Sequence, residues 1–206
     1  MALIRPALIW AVLALALAVP LAAAASSPLL AWRDPIYIVA GFAGIIALCL
    51  LLLQPLLASG ALPGLPARRS RRLHRWSGLG VLTAVVVHVV GLWITSPPDV
   101  VDALLFISPT PFSAWGVIAM WAAFAAGLLA ALRRKWRIRP MLWRNIHVSL
   151  AVVVVIGTVI HAILIEGAME TWSKLALCGL AVIATVKLLR DLRGRTARTR
   201  SQRSRT

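Results

Sequence analysis

The sequence of 206 residues contains four histidines, which form two pairs with the same spacing. His74 and His88 are 14 residues apart, and so are His147 and His161. Fourteen residues of α-helix rise about 21 Å and return to nearly the same face, so each pair would place two imidazoles along one helix stripe. The second pair repeats the first at an offset of 73 residues, which indicates a parallel internal repeat.

Imidazoles at matching depths on two facing helices suit bis-imidazole coordination of haem iron, which gives a low-spin centre for electron transfer. We expect His74 and His147 to ligate the iron of an inner haem, and His88 and His161 the iron of an outer haem. Both would be non-covalent haem b, because the sequence has no C-x-x-C-H motif. With both axial positions filled by protein, oxygen or peroxide chemistry at the iron is disfavoured.

The residues between the histidines on these stripes are small or β-branched, which leaves room for a flat macrocycle. They are Gly78, Val81 and Val85 in the first stripe, and Ala151, Val154 and Thr158 in the second.

The composition requires that the histidine-bearing helices lie in a membrane. Hydrophobic residues make up 61% of the chain, charged residues only 14%, and the mean hydropathy is +0.89, which excludes a soluble globular fold. A membrane-spanning helix needs roughly 20 apolar residues. Six such segments are predicted, at residues 6–25, 35–57, 73–94, 113–132, 141–165 and 171–189.

The predicted fold is therefore an all-α integral membrane protein, a six-transmembrane-helix bundle with the haems between its third and fifth helices. Residues 1–189 form this haem-binding domain, and residues 190–206 form a basic cytoplasmic tail that we expect to be disordered. The pattern from Asp99 to Ile107 favours a short helix in the outer interface. Cys49 and Cys178 lie inside apolar runs and are interpreted as buried hydrophobic residues.

The charges orient the bundle. Of the 22 basic residues, 20 lie at the N-terminus, between the second and third spans, between the fourth and fifth, or after the sixth. Only Arg33 and Lys174 lie on the opposite side, together with five of the six acidic residues. The positive-inside rule predicts that both termini are cytoplasmic in the inner (plasma) membrane, and that the net charge of +16 reports topology rather than nucleic-acid binding.

The first predicted span has a second interpretation. Arg5, a short apolar run and four alanines before the serines also resemble a secretory signal with a cleavage site. We favour retention of this helix, because its apolar run is about as long as a full span.

The motif Arg71-Arg72-Leu73-His74-Arg75, followed by Gly78 and His88 and later by Trp143, His147 and His161, resembles the ferric reductase-like transmembrane domain. This family includes the membrane parts of ferric reductases and NADPH oxidases and the haem subunit of a periplasmic methionine sulfoxide reductase system. The resemblance implies that electrons pass from a cytoplasmic flavin through two b-type haems to an outer acceptor. It also implies that the four histidines are the haem ligands.

The sequence departs from the larger members of this family. Only about 17 residues follow the last predicted span, and no glycine-rich phosphate loop is present. We therefore expect the chain to be the haem membrane component of an oxidoreductase. A separate cytoplasmic flavin reductase, carrying FAD or FMN, or a quinol would supply its electrons, and the outer acceptor is not identified.

Two alternatives remain open at this point. One is a quinol-oxidising cytochrome b subunit, although the Pro-Glu-Trp-Tyr signature of such subunits is missing. The other is a transporter with a histidine relay for protons or metal ions, although such pathways usually include acidic residues deep in the membrane. Membrane lipid is a partner in every case, and nucleic acid is not expected.

The predicted orientation can be tested by cysteine labelling in intact cells, in a background that lacks Cys49 and Cys178. An impermeant reagent should label Asp99→Cys, in the predicted outer loop, and should leave Arg137→Cys, in the predicted inner loop, unmodified. Labelling of Arg137→Cys alone would reverse the topology.

Overall fold

The computed structural model describes residues 4–203, with side chains from residue 5 to residue 194, and this part of the chain is helical. A short 3-10 turn at Pro28–Leu30 follows the first helix. The α-helices are α1 (Ile4–Ala25), α2 (Pro35–Ser59), α3 (Ala67–Thr95), α4 (Pro97–Leu104), α5 (Ser113–Leu132), α6 (Pro140–Leu164) and α7 (Thr171–Arg203).

The limits of α2 follow from local sequence signals. Its first residue is Pro35, whose missing N–H needs no partner at that position. The Asp34 carboxylate accepts hydrogen bonds from the backbone N–H groups of Ile36 and Tyr37, at 2.7 and 3.4 Å. The helix ends at Gly60, which has a left-handed φ of 71° that glycine adopts without steric cost.

The helices pack chiefly with their neighbours in sequence. Helices α2 and α3 form one closely packed pair, and α5 and α6 form a second. Helix α7 lies against α2, α6 and α1. Ten buried residues of α1, α2, α7 and the loop after α2 form a hydrophobic cluster: Leu13, Leu48, Cys49, Leu52, Leu57, Leu62, Leu177, Cys178, Ala181 and Ala184. The two cysteines are thus buried and free, as predicted.

The predicted spans agree with the helices to within a few residues, with two exceptions. Helix α3 begins six residues before the predicted limit, because the arginine-rich segment at its start is also helical. Helix α7 continues to Arg203, so the expectation of a disordered segment after residue 189 is wrong for residues 190–203. The short outer helix is found as α4.

Within the described residues, five helices are long and apolar enough to cross a membrane, namely α1, α2, α3, α5 and α6. The chain is therefore a multi-pass helical membrane protein. The sixth predicted span, residues 171–189, lies in α7 and is not one of these five, so a sixth crossing stays a prediction.

Polar contacts fix the turn between α6 and α7. The Lys174 side chain is only 8% exposed, and its Nζ donates to the Ile165 carbonyl just beyond the end of α6, at 2.7 Å. The Glu170 carboxylate accepts from the backbone N–H groups of Trp172 and Ser173 at the start of α7, at 2.8 and 2.7 Å. These bonds hold the pKa of the Glu170 carboxyl below its usual value.

Replacing Lys174 tests the importance of this turn. Lys174→Met removes a charge-assisted hydrogen bond and should lower the free energy of unfolding by about 1.5–3 kcal/mol. The matched control is Lys187→Met on the same helix, which breaks an exposed ion pair with Asp191 and should cost about 0.3–0.5 kcal/mol. Thermal unfolding of the detergent-solubilised protein measures both values. Equal losses for the two variants would contradict the role given to Lys174.

Candidate functional site

The four histidines lie between α3 and α6 in the two pairs that the spacing predicts. The ring centroids of His74 and His147 are 6.3 Å apart, with an interplanar angle of 75°. Those of His88 and His161 are 6.5 Å apart, at 82°. The backbones of α3 and α6 make almost no close contact. The imidazoles therefore face each other across a gap between the helices, at two levels of the bundle.

The outer pair is held from behind by backbone carbonyl groups. The Nδ1 atom of His88 lies 2.7 Å from the Ala40 carbonyl oxygen in α2, and that of His161 lies 2.8 Å from the Phe112 carbonyl oxygen at the start of α5. A carbonyl oxygen can only accept, so Nδ1 of each ring must carry the proton. This tautomer leaves Nε2 of both rings unprotonated and able to bind a metal.

The inner pair has weaker support of the same kind. The Nδ1 atom of His74 lies 3.3 Å from the Gln54 carbonyl oxygen in α2. The Nδ1 atom of His147 is buried and makes no hydrogen bond of ordinary geometry, although it interacts with the Ala126 carbonyl in α5. The two ends of the site therefore differ in how firmly the imidazoles are oriented.

The supporting carbonyl groups repeat the histidine pattern. Ala40 and Gln54 are 14 residues apart in α2, and Phe112 and Ala126 are 14 residues apart in α5. The second set follows the first at an offset of 72 residues. The repeat thus includes α2–α3 and α5–α6. Sequence reasoning missed these residues because a backbone acceptor has no residue type of its own, and only the shared spacing reveals it afterwards.

An aromatic residue covers the inner pair. The Trp143 ring stacks on the His147 ring, with centroids 5.3 Å apart and an interplanar angle of 14°. The Arg133 guanidinium carbon lies 4.6 Å from the centre of the Trp143 ring, within range of a cation–π interaction. The Trp143 indole N–H is buried without a hydrogen-bond partner among the described residues. A buried donor beside a cation is suited to an anionic group.

Apolar side chains separate the two levels. Leu51, Ala122, Ala123, Val154 and Val155 form a buried cluster, against which Leu82 and Leu150 pack. Two residues of the predicted stripes, Val81 and Val154, are buried, and the remaining four are half-buried. Water is therefore excluded from the region between the inner and outer histidines.

Side-chain hydrogen bonds fix the register of α2 and α3 near His74. The buried Ser70 hydroxyl donates to the Leu57 carbonyl at 2.6 Å. The Gln54 amide donates to the Ser77 hydroxyl at 2.8 Å. Because Gln54 also supplies the carbonyl that faces His74, these bonds couple helix register to ring orientation.

The described residues contain no group of three or more His, Cys, Asp or Glu that could hold a metal ion. Each histidine pair supplies two ligands. A metal bound there would need its remaining ligands from a group that the protein itself does not contain.

A family model described as the ferric reductase-like transmembrane component matches residues 40–158, which is more than half of the chain. The chain belongs to this family. The match contains His74, His88 and His147 and ends three residues before His161. Comparison with the curated proteins and with the solved structures finds no match. The resemblance read from the arginine and histidine motifs is thereby confirmed.

Proposed function

We propose that this ferric reductase-like protein conducts electrons across a membrane through two b-type haems, each ligated by one pair of histidines from α3 and α6. The observation that carries the proposal is the facing of His74 with His147 and of His88 with His161, at centroid distances of 6.3 and 6.5 Å. The chain would serve as the haem membrane component of an oxidoreductase.

The distances fit two imidazoles on opposite sides of one iron. A bond of about 2 Å from each nitrogen to the metal, as for other metal–imidazole bonds, and about 1 Å from that nitrogen to its ring centre give roughly 6 Å between ring centres. Both pairs are close to this value. Two ligands per pair also suit a macrocycle that brings its own four equatorial nitrogens.

When bound, each haem supplies a one-electron centre, and the protein residues determine how that centre behaves. The carbonyl groups of Ala40 and Phe112 fix the tautomer of the outer ligands. The apolar cluster around Leu51 and Val154 keeps water away from the path between the levels. At the inner level, the Trp143 N–H and the Arg133 guanidinium offer a donor and a positive charge for a carboxylate on the macrocycle edge.

We place the inner pair toward the cytoplasm, with both termini cytoplasmic and α7 as the sixth span. The charge distribution supports this orientation. The packing supports a spanning α7, because Leu177, Cys178 and Ala181 are buried in the cluster shared with α1 and α2. A separate flavin reductase with FAD or FMN, or a quinol, would deliver electrons at the inner pair. An acceptor that is still unidentified would remove them at the outer pair.

Single histidine variants test the pairing. His74→Ala and His147→Ala should remove the same haem component from the absorption spectrum, and His88→Ala and His161→Ala should remove the other. The wild-type protein should contain two haems per chain by pyridine haemochrome assay, and each variant one. Variants that group along one helix, as His74 with His88, would contradict cross-helix ligation. A colourless wild-type protein would favour the histidine-relay transporter instead.

Directional transfer can be measured in proteoliposomes of known orientation. NADPH alone should not reduce the protein, whereas reduced flavin on the cytoplasmic side should reduce the inner haem and then the outer haem. An acceptor confined to the outer side should reoxidise both. His88→Ala should stop this reoxidation while the inner haem remains reducible, because apolar protein without a second centre conducts electrons poorly. Rapid reduction by NADPH alone would contradict the need for a separate donor.

A further inference from the structure

A glycine follows each carbonyl group that holds the outer histidines, at a distance of four residues. Gly44 follows Ala40 in α2, and Gly116 follows Phe112 in α5. The two glycines are 72 residues apart, the same offset as the carbonyl groups. They therefore occupy equivalent positions in the two halves of the repeat.

The position matters because of the direction of side chains in a helix. Each Cα–Cβ bond tilts toward the helix N-terminus, so the side chain at one position covers the backbone of the turn before it. The Phe112 carbonyl already accepts from the Gly116 N–H, at 3.2 Å. A second donor can reach such a carbonyl only where the residue four positions later leaves the surface open.

Both imidazoles occupy the space that a side chain would take. A Cβ atom added to Gly116 would lie 2.7 Å from Cε1 and from Nδ1 of His161, closer than real Cβ atoms approach other atoms. One added to Gly44 would lie 3.1 Å from Nδ1 of His88, which requires a shift of a few tenths of an ångström. Alanine should therefore disturb the site more at position 116 than at position 44.

The inner pair provides an internal comparison. The equivalent positions there are Ala58, four residues after Gln54, and Ala130, four residues after Ala126. With a Cβ at this position, the histidine hydrogen bond is 3.3 Å long in one half and absent in the other. With glycine, the two bonds are 2.7 and 2.8 Å long. Bond length thus follows the presence or absence of this Cβ at all four histidines.

We propose that Gly44 and Gly116 are positioning residues of the outer haem: they let His88 and His161 bond to carbonyl groups inside the neighbouring helices, and so set the reduction potential of that haem. This inference rests on the proposed haem ligation. A hydrogen bond that draws on the Nδ1 proton makes the imidazole a more basic ligand, which stabilises ferric iron. Loss of the bond should therefore raise the potential of the outer haem.

The test is a redox titration of purified protein monitored by absorption, with the haem that is lost in His88→Ala assigned as the outer one. Gly44→Ala should raise the potential of the outer haem and leave that of the inner haem unchanged. Gly116→Ala should give a larger rise or reduce the content from two haems to one. Gly41→Ala is the matched control in α2, because a Cβ there meets nothing within 4 Å. It should titrate like the wild type.

The converse variant is Ala58→Gly, which removes the Cβ beside the Gln54 carbonyl. It should let His74 approach that carbonyl and lower the potential of the inner haem alone. A variant that merely loosened the fold would disturb both haems, so a shift confined to one level identifies the positioning effect.

The outcomes separate this inference from the function on which it rests. If the wild type binds two haems and both outer-level variants titrate like Gly41→Ala, the positioning role is wrong and the haem ligation stands. If Gly116→Ala fails to fold, the milder Gly44→Ala decides. If the wild type binds no haem, the proposed function fails, and this result comes from the haemochrome assay before any glycine variant is made.

Discussion

The hydrogen bond from a histidine side chain to a carbonyl inside the neighbouring helix constrains much of this fold. The carbonyl groups of Ala40 and Phe112 cannot move without their helices, so the rings of His88 and His161 are oriented only while α2–α3 and α5–α6 stay in register. The same spacing of 14 residues occurs in the histidines and in their carbonyl partners. One fixed register therefore serves both levels of the site, and the polar contacts from Ser70 and Gln54 maintain it in the first half.

The two levels share this plan but differ in their surroundings. The outer level has short hydrogen bonds and glycines that permit them. The inner level has longer or missing bonds, and the Trp143 ring with its Arg133 cation packs on His147 instead. A protein that receives electrons at one side and releases them at the other needs two centres with different properties. An internal repeat with different residues at equivalent positions provides this difference.

Much of this arrangement could be predicted from the sequence. Runs of apolar residues locate the spans because the bilayer sets their length, and the predicted limits 113–132 are those of α5. The histidine spacing predicted the cross-helix pairs, since helical geometry alone relates residues 14 positions apart. The start of α3 and the extension of α7 were missed because their charged residues carry no apolar periodicity. The supporting carbonyl groups, the glycines beside them and the stacking of Trp143 depend on helix packing, which no single segment encodes.

The central claim is that each facing histidine pair ligates one iron. Electron paramagnetic resonance of the oxidised, purified protein, with spin quantification against protein concentration, tests it most directly. Interplanar angles of 75° and 82° predict two low-spin ferric signals of large g anisotropy, each integrating to one spin per chain. High-spin ferric haem as the main species, or a single low-spin signal of one spin per chain, would contradict the account.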